Sequence, residues 1–262
     1  MDLQLTGRRV LVTGASRGIG LEVVRAALAE GARVVATARR TTPELEATGA
    51  TFVAADLATA DGPRLLLEEV LEQDPHLDVL VNNAGGGSAD PGSLADPVDG
   101  DDDTWADTLA LNLLAAVRTT RAALPALLAA RGAVVNVGSD SARRSMAAPL
   151  PYTAAKAALA AFSRGLAEKV GPRGVRVNTV SPGGTRTPLL VGPDGFGAQL
   201  AGALGVDHDA LVAGMAQQNG MLTGELVDPA EIARTVLLLA SPAMPSAIGQ
   251  NWAVDAGSVK VA

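Results

Sequence analysis

Short apolar runs of strand length alternate with longer stretches of helical periodicity along the chain. The apolar runs predict seven strands, at Val10–Thr13, Val34–Thr37, Thr51–Ala54, Val79–Asn82, Ala133–Val137, Val175–Val180 and Trp252–Val254. The longer stretches predict helices at Gly18–Glu30, Pro63–Gln73, Thr104–Ala130, Tyr152–Val170 and Pro229–Ala240. Continuous apolar strands that alternate with helices are typical of a parallel sheet covered on both faces. The pattern therefore predicts an α/β fold, and it contains no repeat and no domain linker.

Two stretches interrupt this alternation. Gly85–Asp103 is rich in Gly, Pro and Asp, and its last three residues are carboxylates that suit the N-terminus of the following helix. Thr187–Asp228 is long and rich in Gly, Pro and apolar residues. Long segments of this kind often close over substrates, so we expect a lid at 187–228 within a single domain of residues 1–262. A loosely packed surface insertion is the alternative. Pro125 predicts a kink in the long helix.

Composition and charge exclude several classes of function. The net charge of −7 argues against nucleic acid and anionic membrane as partners. The chain has no cysteine and only two isolated histidines, His76 and His208, so we expect no metal site and no Ser-His-Asp triad.

No stretch of the sequence predicts a membrane span or a signal peptide. Thr235–Val254 contains twenty uncharged residues, but Pro242, Pro245 and two amides interrupt it. We therefore interpret it as a helix end, a loop and a strand, and we expect a soluble, cytoplasmic protein.

The only tyrosine of the chain, Tyr152, is followed four residues later by one of its three lysines, Lys156. Both lie in a predicted helix, where positions i and i+4 share a face. A neighbouring cation favours the phenolate and lowers the pKa of a phenol. A tyrosine in this position can exchange a proton with an alcohol near neutral pH. By themselves, the two residues could equally be part of an ordinary amphipathic helix.

A glycine-rich turn follows the first strand and precedes the first helix. It reads Thr13-Gly14-Ala15-Ser16-Arg17-Gly18-Ile19-Gly20. Glycines allow the backbone to approach a pyrophosphate, whose charge the helix N-terminus favours. The spacing is Gly-x-x-x-Gly-x-Gly and differs from the Gly-x-Gly-x-x-Gly of the standard dinucleotide fingerprint.

This turn resembles the start of the short-chain dehydrogenase/reductase family, and further motifs of that family follow in order over essentially the whole chain. They are Asn82-Asn83-Ala84-Gly85, Asn112, Ser139, Tyr152 with Lys156, Pro182-Gly183 with Thr187, Gly249-Gln250 and Val254-Asp255-Ala256-Gly257. With this resemblance we predict a doubly wound (Rossmann-type) domain. Its seven-stranded parallel sheet would have the order 3-2-1-4-5-6-7, with helices on both faces and nucleotide at the switch point.

The resemblance also implies catalytic roles. Tyr152 would be the acid/base that protonates a carbonyl oxygen, and Lys156 would depress its pKa and hold the nicotinamide ribose. Ser139 would donate a hydrogen bond to the substrate oxygen, as oxyanion donors do. Asn112 would hold a water that connects Lys156 to solvent.

The predicted cofactor-binding residues come from six parts of the chain. The glycine turn and the loops after the strands would contact the phosphates, riboses, adenine and carboxamide. They are Gly14, Ser16, Arg17, Gly18, Ile19, Gly20, Arg39, Asp56, Leu57, Asn83, Ala84, Gly85, Tyr152, Lys156, Pro182, Gly183, Thr185 and Thr187.

The end of the second predicted strand favours NADP(H) over NAD(H). An acidic residue there would bind both ribose hydroxyls and repel a 2′-phosphate. This chain instead has Arg39 and Arg40, and its next acid is Glu44. Arg39 can bind the phosphate through charge-assisted hydrogen bonds, with Arg17 on the other side. The alternative is that both arginines are solvated and cofactor selectivity is relaxed.

The sequence thus indicates an NADP(H)-dependent oxidoreductase that interconverts a ketone or aldehyde with an alcohol. The alternatives are an NAD(H)-dependent alcohol dehydrogenase, a non-catalytic nucleotide-binding relative, and a transferase such as a methyltransferase. The lid predicts a largely apolar small-molecule substrate. The resemblance implies a homo-oligomer, either a dimer or a tetramer, that uses the helices Thr104–Ala130 and Tyr152–Val170. Arg143 and Arg144 are weak candidates for contact with an anionic substrate, and His208 is expected to be solvated.

Overall fold

The computed structural model describes residues 1–87, 96, 98–145 and 148–260. Within them, one parallel sheet has the predicted order β3-β2-β1-β4-β5-β6-β7. Its strands are β1 (Arg9–Thr13), β2 (Arg33–Ala38), β3 (Thr51–Ala54), β4 (Val79–Asn82), β5 (Ala133–Val137), β6 (Arg176–Pro182) and β7 (Asn251–Val254). The prediction of seven strands and their order is confirmed, and strand ends differ from the predicted bounds by at most two residues.

The helices lie on both faces of the sheet. They are α1 (Gly18–Ala29), α2 (Pro43–Glu46), α3 (Gly62–Gln73), α4 (Asp102–Leu109), α5 (Ala115–Ala130), α6 (Leu150–Val170), α7 (Pro188–Val191), α8 (Phe196–Leu204), α9 (His208–Gln218) and α10 (Pro229–Ala240). The five helices predicted from periodicity are present, although the long one is interrupted between α4 and α5. Four short helices, α2 and α7 to α9, were not predicted.

Two apolar cores sandwich the sheet, as continuous apolar strands require. Successive side chains of a strand point to opposite faces. Val10 and Val12 accordingly pack into one core with α1 and α10, whereas Leu11 packs into the other with α3 and α5. All three valine and leucine side chains are fully buried.

The chain reverses its direction of travel across the sheet at β1. This strand pairs with β2 on one side and with β4 on the other. The chain moves outward through β2 and β3, crosses over, and continues from β4 toward β7. A crevice therefore opens at the carboxyl ends of β1 and β4, the position at which doubly wound sheets bind ligands.

The long helix of residues 102–130 contains a π turn at Ala110–Leu114. The N–H of Ala115 donates to the carbonyl of Ala110, a bond that spans five residues rather than four. The predicted kink was placed at Pro125, which instead lies within the continuous helix α5. At the start of α4, Asp101 accepts a hydrogen bond from Thr104 N at 2.9 Å, as the acidic run predicted.

The helix of residues 102–130 is the one described segment that is long and apolar enough to cross a membrane by length and composition alone. The mean hydropathy of its most apolar 18-residue window is 1.3, and 33% of that window is buried. Core helices of soluble proteins meet the same two criteria, so this is weak evidence for a span. In Thr235–Val254, α10 ends at Ala240 and β7 begins at Asn251, as predicted.

Candidate functional site

A set of hydrogen bonds joins the ends of β1 and β4 at the switch point. The hydroxyl of Thr13 accepts from the backbone N–H groups of Asn83 (2.9 Å) and Ala84 (3.0 Å). In return, Asn83 Nδ2 donates to the carbonyls of Thr13 and Gly14, both at 3.0 Å. The glycine turn and the loop after β4 are therefore held together as one surface.

The glycine turn is packed so closely that a side chain at either of two glycines would clash with its neighbours. Gly14 has a φ of +63°, and a Cβ there would lie 2.8 Å from the Cα of Ala84. A Cβ on Gly20 would lie 2.3 Å from the carbonyl oxygen of Gly14 and 2.5 Å from Asn83 Nδ2. Gly18, the first residue of α1, faces Thr187, which brings the start of the 187–228 segment to the turn.

The N-terminus of α1 has no side-chain cap among the described residues. Its N-cap residue, Arg17, makes no side-chain capping bond, and the first turn contains no acidic residue. The first N–H groups of a helix need a partner, and together with the helix dipole they favour an anion. The arrangement fits the phosphates of a dinucleotide.

Exposed arginines lie at the end of β2 and in the glycine turn. Arg17, Arg39 and Arg40 are all exposed, and none forms an ion pair with any residue that the structure describes. Ser16 lies beside them, with its carbonyl accepting from the Thr42 hydroxyl at 2.9 Å.

The other predicted cofactor residues are placed as follows. Ile19 is half-buried against the core. Asp56 accepts a hydrogen bond from Ala58 N at 3.0 Å, whereas the Leu57 side chain is buried in the core and leaves only its backbone available. At the end of β6, Pro182 pairs with Val254, and Gly183 packs against Asp255.

The two predicted threonines after β6 differ in what their side chains do. The hydroxyl of Thr185 donates to the carbonyl of Gly183 at 2.8 Å, and Thr185 forms a parallel bridge with Val227. Thr187 precedes α7 without a side-chain capping bond and contacts the glycine turn.

Tyr152 and Lys156 share one face of α6, as predicted. The Lys156 ammonium lies 5.6 Å from the centre of the Tyr152 ring and donates to the carbonyl of Val137, the last residue of β5, at 2.9 Å. Ser139 follows that strand and is buried, with its hydroxyl accepting from Ser141 N at 3.1 Å. The three side chains are thus brought together from β5 and α6.

The pKa of Tyr152 differs from the expectation. The pKa is raised to about 12, because burial and the charge of Asp140 raise it more than a hydrogen bond with Ser139 lowers it. Burial also lowers the pKa of Lys156 to about 8. The expected lowering of the Tyr152 pKa is therefore wrong, because desolvation of the phenol is the larger effect.

Asn112 lies in the π turn and clamps the loop after β4. Its Nδ2 donates to the carbonyls of Gly86 (2.9 Å) and Thr108 (3.1 Å), and its Oδ1 accepts from Gly86 N at 3.0 Å. Both amide hydrogens are therefore used within the protein. A water at this place would have to use the remaining lone pair of Oδ1 or a backbone carbonyl.

Gly85 lies between Asn112 and Lys156. A Cβ at this position would be 2.8 Å from Asn112 Oδ1 and 3.3 Å from Lys156 Nζ. The loop after β4, the π turn and α6 therefore converge on this one glycine. Of the stretch Gly85–Asp103, residues 88–95 and 97 lie outside the described part of the chain.

The 187–228 segment divides into two parts. Leu189 and Phe196 face the loop after β4, with a Cβ on Gly87 lying 3.4 Å from the Phe196 ring. Leu211, Met215 and Met221 are instead buried in the core. A hollow of about 410 Å³ lined by α9 and residues 224–226 contains none of the predicted catalytic residues.

Three side chains behave differently from the sequence-based interpretation. His208 is not simply solvated, because its Nε2 lies 2.9 Å from the carbonyl of Leu190 and joins α9 to α7. Arg144 is not free for a substrate, because it pairs with Asp140 at 3.1 Å, while Arg143 is exposed. Asp140 itself was missed, although an acid directly after Ser139 with an arginine four residues later was a visible signal.

The comparisons with known proteins agree with this arrangement. Residues 14–258 match the family model described as enoyl-(acyl carrier protein) reductase. An uncharacterized oxidoreductase of Bacillus subtilis is 33% identical, over 99% of each chain. The L-fucose dehydrogenase of Bos taurus is 34% identical, over 93% of this chain and 86% of its own. Among solved structures, L-sorbose reductase from Gluconobacter frateurii, complexed with NADPH and L-sorbose, superimposes with a TM-score of 0.88. It is 29% identical, and 100% of both chains is covered.

Proposed function

Because this chain belongs to the short-chain dehydrogenase/reductase family of carbonyl/alcohol oxidoreductases, we propose that it uses NADP(H) to interconvert a ketone or aldehyde with an alcohol. A methyltransferase-like function is inconsistent with this family. The observation that carries the proposal is the convergence of Tyr152, Ser139 and Lys156 beside the loop after β4.

The described residues fit a dinucleotide. The uncapped N-terminus of α1 and the closely packed glycine turn suit the pyrophosphate. Arg39 and Arg17 suit a 2′-phosphate, because both are exposed cations that pair with no acid in the described part of the chain. Lys156, the loop Asn83–Gly85 and the threonines after β6 would hold the nicotinamide ribose and carboxamide. When bound, the cofactor supplies or accepts the hydride.

In the reductive direction, two hydroxyls of the protein act on the substrate oxygen. Ser139 and Tyr152 donate hydrogen bonds to the carbonyl oxygen and polarise the C=O bond. As the carbonyl carbon gains a hydride, the O–H bond of Tyr152 breaks and its proton moves to the oxygen, which leaves an alcohol and a tyrosinate. A Tyr152 pKa of about 12 keeps the phenol protonated at neutral pH, the state that reduction requires.

Lys156 would then support the tyrosinate. Its ammonium shares a helix face with the phenol, so the opposite charges attract when the phenol is ionised. A water near Asn112 would return a proton from solvent to the Lys156–Tyr152 pair. In oxidation the same steps run in reverse, with tyrosinate as the base.

Leu189 and Phe196 support a largely apolar substrate, since both face the loop after β4. Two of the relatives named above, L-fucose dehydrogenase and L-sorbose reductase, act on sugars, so hydroxylated carbonyl compounds belong in any screen. A second candidate is an NAD(H)-dependent dehydrogenase of the same family, in which the exposed arginines at β2 are merely solvated.

The apolar surface of residues 102–130 supports a homo-oligomer, either a dimer or a tetramer, that buries α4, α5 and α6 between subunits. We also propose that the protein acts in the cytoplasm. Sedimentation of the purified protein tests the oligomer, and a sedimenting monomer at micromolar concentration would contradict it.

A spectrophotometric assay tests the proposed activity. Consumption of NADPH and of NADH is followed with a panel of apolar ketones, aldehydes and ketoses, and the reverse reaction with the matching alcohols. We expect turnover of at least one carbonyl compound, faster with NADPH. Binding of NADPH without turnover of any panel member would favour the non-catalytic relative instead.

A further inference from the structure

Asp140 is a buried acid next to the reacting groups that the proposed mechanism does not use. It follows Ser139 directly in the chain and is 8% exposed. Burying a carboxylate is costly unless charged and hydrogen-bonding partners compensate for the loss of water. The partners of Asp140 therefore indicate why the acid is kept there.

The two oxygens of Asp140 have different partners. Oδ2 accepts from Arg144 at 3.1 Å and from the Ser258 hydroxyl at 2.9 Å. Oδ1 lies 3.4 Å from the Ser139 hydroxyl, a long contact for two oxygens. One side of the carboxylate is thus anchored firmly, and the other side faces the serine that is proposed to bind substrate.

The anchor extends to the C-terminal turn. The Ser258 hydroxyl also lies 3.2 Å from Asp255 Oδ2, but it has a single proton, and the shorter contact goes to Asp140. Asp255 is bound by the backbone N–H groups of Gly257 (3.0 Å) and Val259 (2.9 Å). Asp140 is therefore fixed from two sides and cannot turn away from Ser139.

The negative charge of Asp140 acts on Tyr152 and raises the pKa of the phenol. Lys156 shares the face of α6 with Tyr152, and Asp99 accepts from Leu150 N at the start of that helix. The carboxylates of α4, which packs against α6, are exposed and therefore screened by solvent and salt. They are Asp102, Asp103 and Asp107.

On the basis of the proposed function, we propose that Asp140 is a positioning residue for Ser139 and Tyr152. The balance of charge between Asp140 and Arg144 sets the pH at which Tyr152 exchanges its proton. The carboxylate opposes ionisation of the phenol, and the guanidinium, whose side chain is 26% exposed, partly compensates that charge.

The single tyrosine allows a direct test without any substrate. Replacing it biosynthetically with 3-fluorotyrosine, whose phenol is more acidic, gives one fluorine-19 resonance whose chemical shift follows ionisation of Tyr152. We would titrate the wild type, Asp140→Asn, Arg144→Gln and the double variant. Arg143→Gln is the matched control, because Arg143 is exposed and belongs to the same loop. Circular dichroism at each pH confirms that the protein stays folded.

Opposite shifts are expected from the two single variants. The midpoint of Asp140→Asn should fall by at least about half a pH unit, because a negative charge is removed. The midpoint of Arg144→Gln should rise, because Asp140 is left uncompensated. The double variant should lie between these two, and Arg143→Gln should match the wild type. Shifts of the same sign in both single variants, or no shift in either, would overturn the proposal, because a merely structural role predicts no such opposition.

If Asp140→Asn fails to fold, the direction of the Arg144→Gln shift decides alone. The acid limb of the pH profile for alcohol oxidation should move in the same order as the fluorine midpoints. Because the titration needs no turnover, opposite shifts in an inactive protein would refute the proposed function and leave the charge balance intact. Turnover with unshifted midpoints would instead support the proposed function and overturn the proposed role of Asp140.

Discussion

The ammonium of Lys156 lies 5.6 Å from the centre of the Tyr152 ring and donates a hydrogen bond to the carbonyl of Val137. Burial favours the uncharged form of both groups, because the pKa of the phenol is raised to about 12 and that of the amine is lowered to about 8. Each group is thus pushed toward its neutral form. The phenol is therefore protonated at neutral pH, and its ionisation has to be favoured by what binds beside it.

Tyr152→Phe should abolish turnover and leave nucleotide affinity nearly intact. The substitution removes only the hydroxyl, and general acid catalysis contributes roughly 10²–10⁴ in rate. The loss should appear mainly in kcat. Steady-state kinetics and NADPH titration by fluorescence measure the two effects, and a variant that retains more than about a tenth of wild-type kcat would contradict the assignment.

Lys156 should make the stability of the protein depend on pH with an unusual sign. A lysine whose folded-state pKa of about 8 lies below its ordinary value of 10.5 destabilises the fold at low pH. This cost disappears as the pH rises from about 8 to 10.5, because the unfolded chain then binds the extra proton. Over that range the wild type should gain up to about 3 kcal/mol relative to Lys156→Met.

Urea unfolding at a series of pH values measures this difference. Lys169→Met, which replaces an exposed lysine at the end of the same helix, is the matched control and should show no such trend. A constant difference between wild type and Lys156→Met across the range would show that the amine is not desolvated.

Gly85→Ala should damage the site through a single methyl group. The added Cβ would lie 2.8 Å from Asn112 Oδ1 and 3.3 Å from Lys156 Nζ, so one of these groups must move. We expect a cost of about 1–3 kcal/mol in the free energy of unfolding and at least a tenfold loss of kcat/KM. Gly165→Ala is the control, because a Cβ there meets nothing within 4 Å, and equal activity of the two variants would refute the crowding.

Arg39→Asp should collapse or reverse the preference for NADPH over NADH. Arg39 is exposed at the end of β2 and has no acidic partner among the described residues. An aspartate there would repel a 2′-phosphate and accept hydrogen bonds from the ribose hydroxyls. The measurement is kcat/KM for both cofactors, with Arg40→Asp as a control of equal charge. Equal use of NADPH and NADH by the wild type would show that the arginines do not select.

Ligands should protect part of the 187–228 segment from proteolysis. Leu189 and Phe196 face the loop after β4, whereas Leu211 and Met215 are already buried in the core. NADPH together with a substrate should therefore slow cleavage near α7 and α8 and leave cleavage elsewhere unchanged. Mass spectrometry of limited digests identifies the cut sites. Identical patterns with and without ligands would contradict the prediction of a lid.

The strands could be predicted because their sequence signal is local, whereas the order of the sheet was predicted from the family resemblance. Apolar strands such as Val79–Asn82 and Ala133–Val137 have the predicted bounds, since continuous burial leaves a continuous apolar run. The short helices α7 to α9 were not predicted, because their Gly- and Pro-rich segment has little periodicity of its own. Packing of Leu211 and Met215 on the core supports them, and that information is not local.

The candidate site likewise has features that local sequence predicted and features that it did not. Spacing within one helix was enough to place Tyr152 and Lys156 on one face. The contacts of Asp140 with Ser258 and of His208 with Leu190 depend on how distant segments meet, which no motif encoded. The direction of the Tyr152 pKa shift was missed for a related reason, because the charge of Lys156 was visible in the sequence and the burial of the phenol was not.

The π turn at Ala110–Leu114 means that the long helix carries one residue more than a regular helix of that path would need. Deleting one residue there would restore ordinary four-residue bonding and a more regular helix. It would also remove the local widening of the turn that places Asn112 opposite Gly86. Asn112 would then no longer face Gly86. A chain shortened by one residue within 110–114 would therefore form a more regular helix but a less active enzyme.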